Sequence, residues 1–587
     1  MNTSKFAVLL AFAFTLLYSC QEEKSSESDS ESQETVSTEI KKGGSLRLAI
    51  SDEVTTLDPK FVYSVHASQI ASMVYEPLVK FNPKTLAIEP LIAEKYDIAD
   101  SNTTFTFTIR KGVFFHNDEC FPGGNGRELT ASDIKYTFEY YCKQEAQEMS
   151  VAYNTVFHGN VVGLEEYVSG QSDEISGIQV EGDKVTIKLS HPNADFLKQL
   201  ASPSASILAK EIIECKGLNR GAGTGPFKLS SNGPKGILLV KNEKYYLKDD
   251  KGEQLPYLDT VSFKIISSKI DQLISFEEGE IEYIDGLPSG KIKYMVEENI
   301  RNFDEVPPKY VLAHEPQLSV EYYGFNLARP YFKDKRVRKA ISYAINRQSI
   351  YDKILKRQAY SPGQAGIVPP IKLFKGYDFD KVQENSYSYN PEKARKLMAE
   401  AGYPEGKGFP KITIEYNQND QNYKVAAEIQ EQLKKTLNID LQIEAVSFEK
   451  KLENSNFGRS DIFRAAWVGD YPSPQTMLLL GYGKNVPKSM DKPSHPNSMR
   501  YVNPEFDKLY EKAIQASSEE ESYKYYAEAE SIFMDEAPVV VLWYYEDNQI
   551  LHSYVRNLYF NEIKYLDFRQ VWLKEWTEAE YKEYIKK

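Results

Sequence analysis

The sequence predicts a mixed α/β protein with more than one lobe. Apolar and polar residues alternate, as in half-buried strands, over six segments: 45–50, 104–110, 184–189, 261–266, 411–416 and 440–446. Helical segments are interspersed with these strands along the chain. At 587 residues the chain also exceeds what one core can fill, because cores stop growing near about 250–300 residues.

The first twenty residues predict an export signal that ends at a lipidation site. Lys5 precedes the apolar run FAVLLAFAFTLLY, which suits a signal core and is too short to span a membrane. The run ends in LLYSC, which resembles a bacterial lipobox with Cys20 as the lipidated residue. An ordinary cleaved signal with an incidental cysteine is the alternative. We therefore expect a signal peptide over 1–20 and a protein exported and lipid-anchored to the bacterial cell membrane, facing the periplasm or cell exterior.

An acidic, serine-rich stretch follows this signal. Residues 21–39 carry seven acidic residues, six serines and no aromatic residue. Such a composition cannot bury enough apolar surface to fold. We predict a disordered tether over 21–43 that joins the anchor to the folded body.

Helices are marked by capping residues and by apolar stripes. In NPEKARKLMAEAG, Asn390 is the predicted N-cap, Pro391 takes the first helical position and Gly402 ends the helix. The same arrangement begins at Asn503. A third helix, within DKRVRKAISYAI, presents an apolar stripe of Val337, Ile341, Ala344 and Ile345.

Two loops invite a chemical interpretation that their residues do not support. GAGTGPFKL, 221–229, lacks the Gly-Lys-Ser/Thr ending of a phosphate loop, so we interpret it as a turn that enters a strand. HNDECFPGGNGREL, 116–129, groups His116, Asp118, Glu119 and Cys120 without regular spacing, and we expect a surface loop rather than a metal site. No cofactor and no metal are expected. Three cysteines remain after processing, Cys120, Cys142 and Cys215, which allow one disulfide at most.

The overall charge and the motif search narrow the function classes. The net charge of −14 argues against binding to nucleic acid, which needs a basic face. The chain has no GxSxG and no HExxH, and its seven histidines show no catalytic spacing. A hydrolase is therefore disfavoured. In contrast, DIFRAAWVGDYPSP, 461–474, places both charge signs beside a tryptophan, which suits a catalytic site, a structural ion pair or a cradle for a charged ligand.

Several blocks, taken in order, carry a resemblance to a known family. They include LDP (57–59), YEPLV (75–79), GTGPFKL (223–229), YYGFNLARPYFKDKRVRKAISYAINRQSI (322–350), PGQAGIVPP (362–370) and WVGDYPSP (467–474). In this order the chain resembles the solute-binding proteins of the peptide/nickel class that serve ABC importers, bacterial solute-binding protein family 5. The resemblance runs from about residue 44 to the C-terminus.

This resemblance implies a two-lobed periplasmic-binding-protein fold of class II, of the large three-domain type, with a hinge and a ligand cleft between the lobes. Closure of the lobes around ligand is the expected motion. The implied boundaries are 44–74, 200–310 and 541–587 for lobe I, 75–199 for an extra subdomain of lobe I, and 311–540 for lobe II.

The resemblance also assigns roles to the charged stretch at 461–474. In peptide-binding members an aspartate at the position of Asp470 pairs with the ligand's α-ammonium. Trp467 and Tyr471 would flank the pocket, and Arg464 matches a position that meets a peptide's C-terminal carboxylate in some relatives. Their second arginine falls on Ser455 here. The alternatives are that Asp470 caps a turn and that Arg464 forms an ion pair with Asp461.

Two further segments should line the cleft by the same mapping. Tyr63, Ser64 and Val65 fall where relatives run an extended strand beside the ligand. Trp543 and Tyr545 fall in an aromatic cluster near the C-terminus. Tyr544 lies between them, and strand alternation implies that only some of the three face the cleft.

The function implied is capture of oligopeptides or dipeptides and their delivery to the transmembrane subunits of an ABC permease, by a monomer that is not an enzyme. A different solute on the same fold, such as a nickel chelate, haem or an oligosaccharide, is the first alternative. An extracytoplasmic hydrolase is the second.

Overall fold

The computed structural model describes residues 40–62, 64–143, 150–216, 221–287 and 308–575. The predicted signal, Cys20, the tether up to residue 39 and Tyr63 lie outside these ranges. The strands in chain order are β1 Ser45–Ile50, β2 Val79–Phe81, β3 Ile88–Pro90, β4 Ala93–Ala99, β5 Thr104–Ile109, β6 Ile178–Glu181, β7 Lys184–Lys188, β8 Phe227–Gly233, β9 Gly236–Lys241, β10 Thr260–Ile265, β11 Tyr283–Asp285, β12 Tyr310–Phe325, β13 Ser361–Pro362, β14 Ile412–Asn417, β15 Leu441–Val446, β16 Ile462–Val468, β17 Val539–His552, β18 Val555–Arg556 and β19 Trp572–Leu573.

The helices alternate with these strands, and their bounds in chain order are α1 Val65–Val74, α2 Ala131–Cys142, α3 Leu164–Val168, α4 Phe196–Leu200, α5 Lys210–Lys216, α6 Lys269–Glu277, α7 Lys335–Ala344, α8 Arg347–Lys353, α9 Phe379–Gln383, α10 Pro391–Glu400, α11 Asp420–Leu437, α12 Phe448–Asn456, α13 Gln475–Leu478, α14 Pro504–Ile514 and α15 Glu519–Glu536. The predicted caps of α10 and α14 are confirmed, since Asn390 and Asn503 both accept bonds from backbone N–H groups. The α/β class is confirmed as well.

One eleven-stranded mixed sheet runs through the molecule. Its order is β15–β14–β16–β12–β17–β11–β1–β10–β9–β8, and β13 pairs with β17. A separate four-stranded sheet, β4–β5–β7–β6, comes from the region predicted as an extra subdomain. The domain boundaries themselves stay a prediction.

Two long antiparallel strands, β12 and β17, connect the two halves of the large sheet. Their pairing is interrupted, because Pro316 pairs with Glu546 and the next pair joins Val320 to Tyr544. Three residues of β12 therefore face one residue of β17, which is a β-bulge. Leu318, within this bulge, instead accepts a hydrogen bond from the N–H of Gly469 at 2.8 Å.

Apolar side chains form separate clusters on the two halves. One contains Leu48, Phe107 and Phe263, from the half that includes β1 and from the four-stranded sheet. Two others cover opposite faces of the β12–β14–β16–β17 region, one with Tyr544 and the other with Trp543. No helix in the described ranges is both long enough and apolar enough to cross a membrane.

A buried ion-pair network ties the C-terminal segment to the start of the chain. Glu76 is fully buried, and its carboxylate accepts bonds from Thr224, Tyr245 and Tyr246. Arg569 pairs with Glu76 at 2.8 Å. Because a buried charge is costly without a partner, each member of this pair depends on the other.

The cysteines resolve into one disulfide and one thiol, as the count allowed. Cys120 is bonded to Cys215, and Cys142 is a buried thiol outside this disulfide. Burial raises the pKa of the Cys142 thiol far above its ordinary value.

Candidate functional site

Asp470 lies just beyond the end of β16, in a turn held by Thr476. The Asp470 N–H donates to Oγ1 of Thr476 at 3.1 Å. A Cβ at Gly469, the residue before Asp470, would lie 2.4 Å from the Leu318 side chain, so any larger residue would displace that buried leucine. The hydrogen bond to Thr476 holds the backbone at Asp470 and thereby positions its carboxylate. That Asp470 caps a turn stays a prediction.

The Asp470 carboxylate has no cation partner among the described residues, although its surroundings raise its pKa. The residue is accessible to solvent, yet protein surrounds it so closely that burial raises the pKa of its carboxyl to about 6, with a smaller opposing effect from the Thr476 hydrogen bond. These two observations fit a residue on the inner wall of a cleft. No described lysine or arginine forms an ion pair with it, in contrast to Glu321 and Glu76, which pair with Arg464 and Arg569.

Trp467 is the half-buried neighbour that forms part of the same wall. Its indole Nε1–H donates to the carbonyl of Thr476 at 2.7 Å. Thr476 therefore holds both the tryptophan and Asp470. On its other side Trp467 contacts the ring of His495, with centroids 6.4 Å apart.

Arg464 is engaged by the protein itself. Its guanidinium forms two bonds of 2.6 Å with the carboxylate of Glu321, whose side chain is 1% exposed. Asn417 and Tyr545 provide further contacts. The predicted partner Asp461 is wrong, because that carboxylate lies 2.9 Å from Arg329. Glu321 lies 143 positions away, so no local pattern could indicate it. A role for Arg464 in ligand binding stays a prediction.

The aromatic residues of β17 divide between two faces, as alternation predicted. Tyr545 is half-buried, and its hydroxyl donates to Glu321 at 2.6 Å. Trp543 is 2% exposed and packs in the core beneath it. Tyr544 points to the opposite face, where its hydroxyl donates to the Gly366 carbonyl at 2.6 Å. Of the two predicted site residues, Tyr545 is therefore the one that offers polar surface.

Tyr471 is buried away from the wall that Asp470 forms. It joins the core cluster of the other half, and its hydroxyl lies 3.3 Å from Nε2 of Gln199. Ser473, two residues later, donates to Asp195 at 2.5 Å. The turn after Asp470 therefore bridges to residues 195–199.

Of the segment 63–65, which was expected to be extended, the structure describes Ser64 and Val65, and it differs from the expectation at Val65. Ser64 is the N-cap of α1, and its hydroxyl accepts from the Ala67 N–H. Val65 is the first helical residue, so the expectation of extended backbone is wrong there. The physical reason is local, because a serine before a helical run caps it. Tyr63 lies outside the described residues, and the binding roles of Ser64 and Val65 stay predictions.

The two loops set aside from the sequence have structural roles. Gly223 and Gly225 pack against backbone of α1, where a Cβ would lie 2.0 Å and 2.3 Å from carbonyl oxygens, and the turn enters β8. The surface-loop prediction is wrong at His116, which is buried with a ring nitrogen 2.9 Å from the Gly225 carbonyl. Burial lowers the pKa of His116 to about 4. Within the described ranges, His, Cys, Asp and Glu side chains form no group of three placed to hold a metal ion.

Sequence reasoning missed Lys451, on the inward face of α12. It is 3% exposed. Burial, with repulsion from Arg464, lowers the pKa of its ammonium to about 8. The available signal was its spacing, since Lys451 stands four residues before the buried Ser455 on an amphipathic helix.

Comparison with known proteins finds similarity to bacterial solute-binding proteins. The family described as "Bacterial extracellular solute-binding proteins, family 5 Middle" matches residues 87–488. The oligopeptide-binding protein OppA of Bacillus subtilis is 25% identical over 538 residues, covering 90% of this chain and 92% of that protein. Heme-binding protein A of Haemophilus influenzae is 27% identical over 488 residues, covering 80% and 81%.

A solved structure extends this similarity to the fold. The periplasmic binding protein DppA of Helicobacter pylori, in complex with the peptide STSA, matches with a TM-score of 0.74 and 26% identity. The match covers 91% of this chain and 99% of that one. The predicted two-lobed binding-protein fold is therefore confirmed.

Proposed function

Because the chain belongs to family 5 of the bacterial extracellular solute-binding proteins, we propose that it captures oligopeptides or dipeptides in the cleft between its lobes and delivers them to an ABC permease. Relatives named for oligopeptide and dipeptide binding support this function. The observation in this chain that carries it is the Asp470 carboxylate, whose surroundings raise its pKa and which lacks a cation partner among the described residues.

Asp470 is the residue that would pair with the α-ammonium of a peptide. A carboxylate that accepts charge-assisted hydrogen bonds in an enclosed site binds an ammonium more strongly than it would in water. Trp467 would supply the apolar surface beside it. Binding of the ammonium would also compensate the burial that now raises the pKa of Asp470.

The role is binding and delivery without a chemical step, in line with a family of transporter binding proteins. We place the protein outside the cytoplasm, like its periplasmic relatives. Lipidation at Cys20, the tether over 21–43 and a monomeric state belong to this proposal and rest on the sequence. So do the boundaries 44–74, 200–310 and 541–587 for lobe I, 75–199 for its subdomain and 311–540 for lobe II.

Native mass spectrometry of the purified protein tests the ligand class. Peptide masses released on unfolding would support the proposal, whereas co-purified haem, a nickel chelate or an oligosaccharide would replace it with that solute. Haem is the alternative with a named relative, heme-binding protein A.

Calorimetric titration tests the pairing of Asp470 with the peptide's α-ammonium. Peptides of two to five residues should bind with a free N-terminus and lose at least tenfold in affinity when the N-terminus is acetylated. Asp470→Asn should weaken the free peptides to the same extent. Asp491→Asn, an exposed aspartate in the same region, is the matched control and should bind normally. Equal affinity of free and acetylated peptides would contradict the role of Asp470.

A further inference from the structure

Helix α4 contacts the segment that follows Asp470, although the two fall in different predicted lobes. α4, Phe196–Leu200, packs on the four-stranded sheet, where the ring centroids of Phe196 and Phe105 lie 4.9 Å apart. It therefore belongs to the predicted subdomain of lobe I. The segment after Asp470 and helix α15 fall within 311–540, the predicted lobe II. We call the contact between the two sides the latch, and its members are Asp195, Lys198 and Gln199 on the first side and Tyr471, Ser473, Gln475 and Glu519 on the second.

The buried part of the latch consists of hydrogen bonds that cross from one side to the other. The Ser473 hydroxyl donates to Oδ2 of Asp195 at 2.5 Å. Nε2 of Gln199 donates to Oε1 of Gln475 at 3.0 Å and lies 3.3 Å from the Tyr471 hydroxyl oxygen. All five side chains are buried. The two sides therefore fit each other without water between these groups.

An ion pair forms the outer part of the latch. Nζ of Lys198 lies 2.9 Å from the carboxylate of Glu519 on α15 and 3.0 Å from that of Asp195 on its own side. Burial lowers the pKa of the Lys198 ammonium, but the two carboxylates outweigh this effect and the pKa is raised. Burial raises the pKa of Glu519, and Lys198 reverses this shift, so that the pKa is lowered. Both shifts show that the pair across the latch is attractive.

The buried groups of the latch also have partners on their own side. Asp195 keeps an ion pair within its own segment. Oε1 of Gln199 accepts from Asn193 at 3.1 Å, and Oε1 of Gln475 accepts from the Tyr471 hydroxyl at 3.0 Å. If the two sides separate, each group retains one partner and water can replace the other. Such a polar contact suits parts of a protein that move relative to each other.

We propose that the latch engages when the two lobes close on a peptide and that it slows the release of that peptide. This inference rests on the proposed function. Because the segment after Asp470 is then held from the opposite lobe, closure also fixes the backbone that carries the Asp470 carboxylate. Ser473 and Glu519 are positioning residues in this scheme, since they act without touching the peptide. The effect should appear in the rate of release, because the latch forms after the peptide has entered.

Stopped-flow kinetics followed by tryptophan fluorescence test the latch, with the tightest-binding of the alanine peptides of two to five residues as the probe. Glu519→Gln should speed release about threefold. Ser473→Ala should speed it about tenfold, because it removes a hydrogen bond to a charged group. Association rates should stay at the wild-type value, as should the urea midpoint of Glu519→Gln. Glu520→Gln is the matched control, since Glu520 is an exposed acid in the same first turn of α15, and it should release peptide at the wild-type rate.

Carbodiimide coupling tests the latch without any peptide. The reagent can join Lys198 to Glu519 as an amide, and mass spectrometry of a digest identifies this product. In small-angle X-ray scattering, the coupled ligand-free protein should have a smaller radius of gyration than the uncoupled protein. Glu519→Gln cannot form this amide and should keep the larger radius after the same treatment.

Several results would overturn the inference. Wild-type release rates in both Glu519→Gln and Ser473→Ala would show that the contact does not resist opening. Equal acceleration by Glu520→Gln would assign the effect to the charge of the helix. Equal radii of the coupled and uncoupled proteins would show that the contact does not open. If the wild type binds none of the peptides, the proposed function fails, and the scattering comparison still decides whether the latch opens.

Discussion

Replacing Glu530 by glutamine should stabilise the protein, and the effect should grow as the pH rises. Glu530 on α15 is fully buried and accepts bonds from the Val368 N–H at 2.7 Å and the Tyr377 hydroxyl at 2.6 Å. No described cation pairs with it. Burial raises the pKa of its carboxyl from 4.5 to about 7, against the smaller opposing effect of these bonds.

The sign and magnitude of this pH effect follow from the linkage between proton binding and folding. Since the folded-state pKa exceeds the unfolded one, the protonated acid favours folding below about pH 4.5, and that contribution is lost as the pH rises through about 7. A difference between 4.5 and about 7 corresponds to about 3 kcal/mol. Glutamine does not titrate, and it can still accept from Val368 and donate to the Tyr377 oxygen. Glu530→Gln should therefore gain about 3 kcal/mol relative to wild type on going from pH 4.5 to pH 8.

Urea unfolding followed by circular dichroism at pH 4.5 and pH 8 measures this gain. Glu528→Gln on the same helix is the matched control, because that side chain is 30% exposed and lies 3.4 Å from Lys381. Its exposed pair is worth less than about 1 kcal/mol. A Glu530→Gln variant whose advantage is the same at both pH values would refute the reasoning, since the ionised carboxylate would then cost nothing in the folded protein.

Three other outcomes are expected. Peptide affinity measured by calorimetry should fall about tenfold between pH 7 and pH 5, because the Asp470 carboxyl has a pKa of about 6 and only its ionised form attracts an ammonium. An unchanged affinity would contradict the pairing of Asp470 with the peptide's α-ammonium. Arg569→Ala should cost about 3–5 kcal/mol in urea unfolding, since it leaves the charge of Glu76 buried without a partner, and a loss under about 1 kcal/mol would show that the hydroxyl donors suffice. Joint replacement of Cys120 and Cys215 by serine should lower the free energy of unfolding by up to about 4 kcal/mol for a bridge of this sequence separation. Unfolding of the wild type under reducing conditions should show the same loss. Equal stability with and without the disulfide would contradict this.

The elements that could be predicted from the sequence are those whose determinants are local. Asn390 and Pro391 define the start of α10 by contacts within one turn. The alternation in β5 and β14 is likewise a property of adjacent residues. The cap of α1 is equally local, since Ser64 accepts from the Ala67 N–H, yet no helix was predicted to begin at Val65.

The partners within the site could not be predicted because they come from distant parts of the chain. Arg464 finds Glu321 on the neighbouring strand β12, across 143 positions. His116 becomes buried because backbone carbonyls near Gly225 approach its ring. The lowered pKa of Lys451 depends likewise on its burial and on Arg464, which lies on another element. Sequence periodicity indicates which way a side chain points and leaves open what it meets.

The bulge at Leu318 has a consequence for the order of events during capture. Because the β12–β17 ladder is already interrupted there, flexing at this point would break few backbone hydrogen bonds, and we expect the two halves to pivot there. The Gly469 N–H donates a hydrogen bond to the Leu318 carbonyl, so Asp470 lies next to this point and would move little as the two halves close. We therefore expect the α-ammonium of a peptide to bind first, while the molecule is open. Contacts farther from Asp470 would form as the two halves close. The N-terminus of a peptide would thus act as its point of entry.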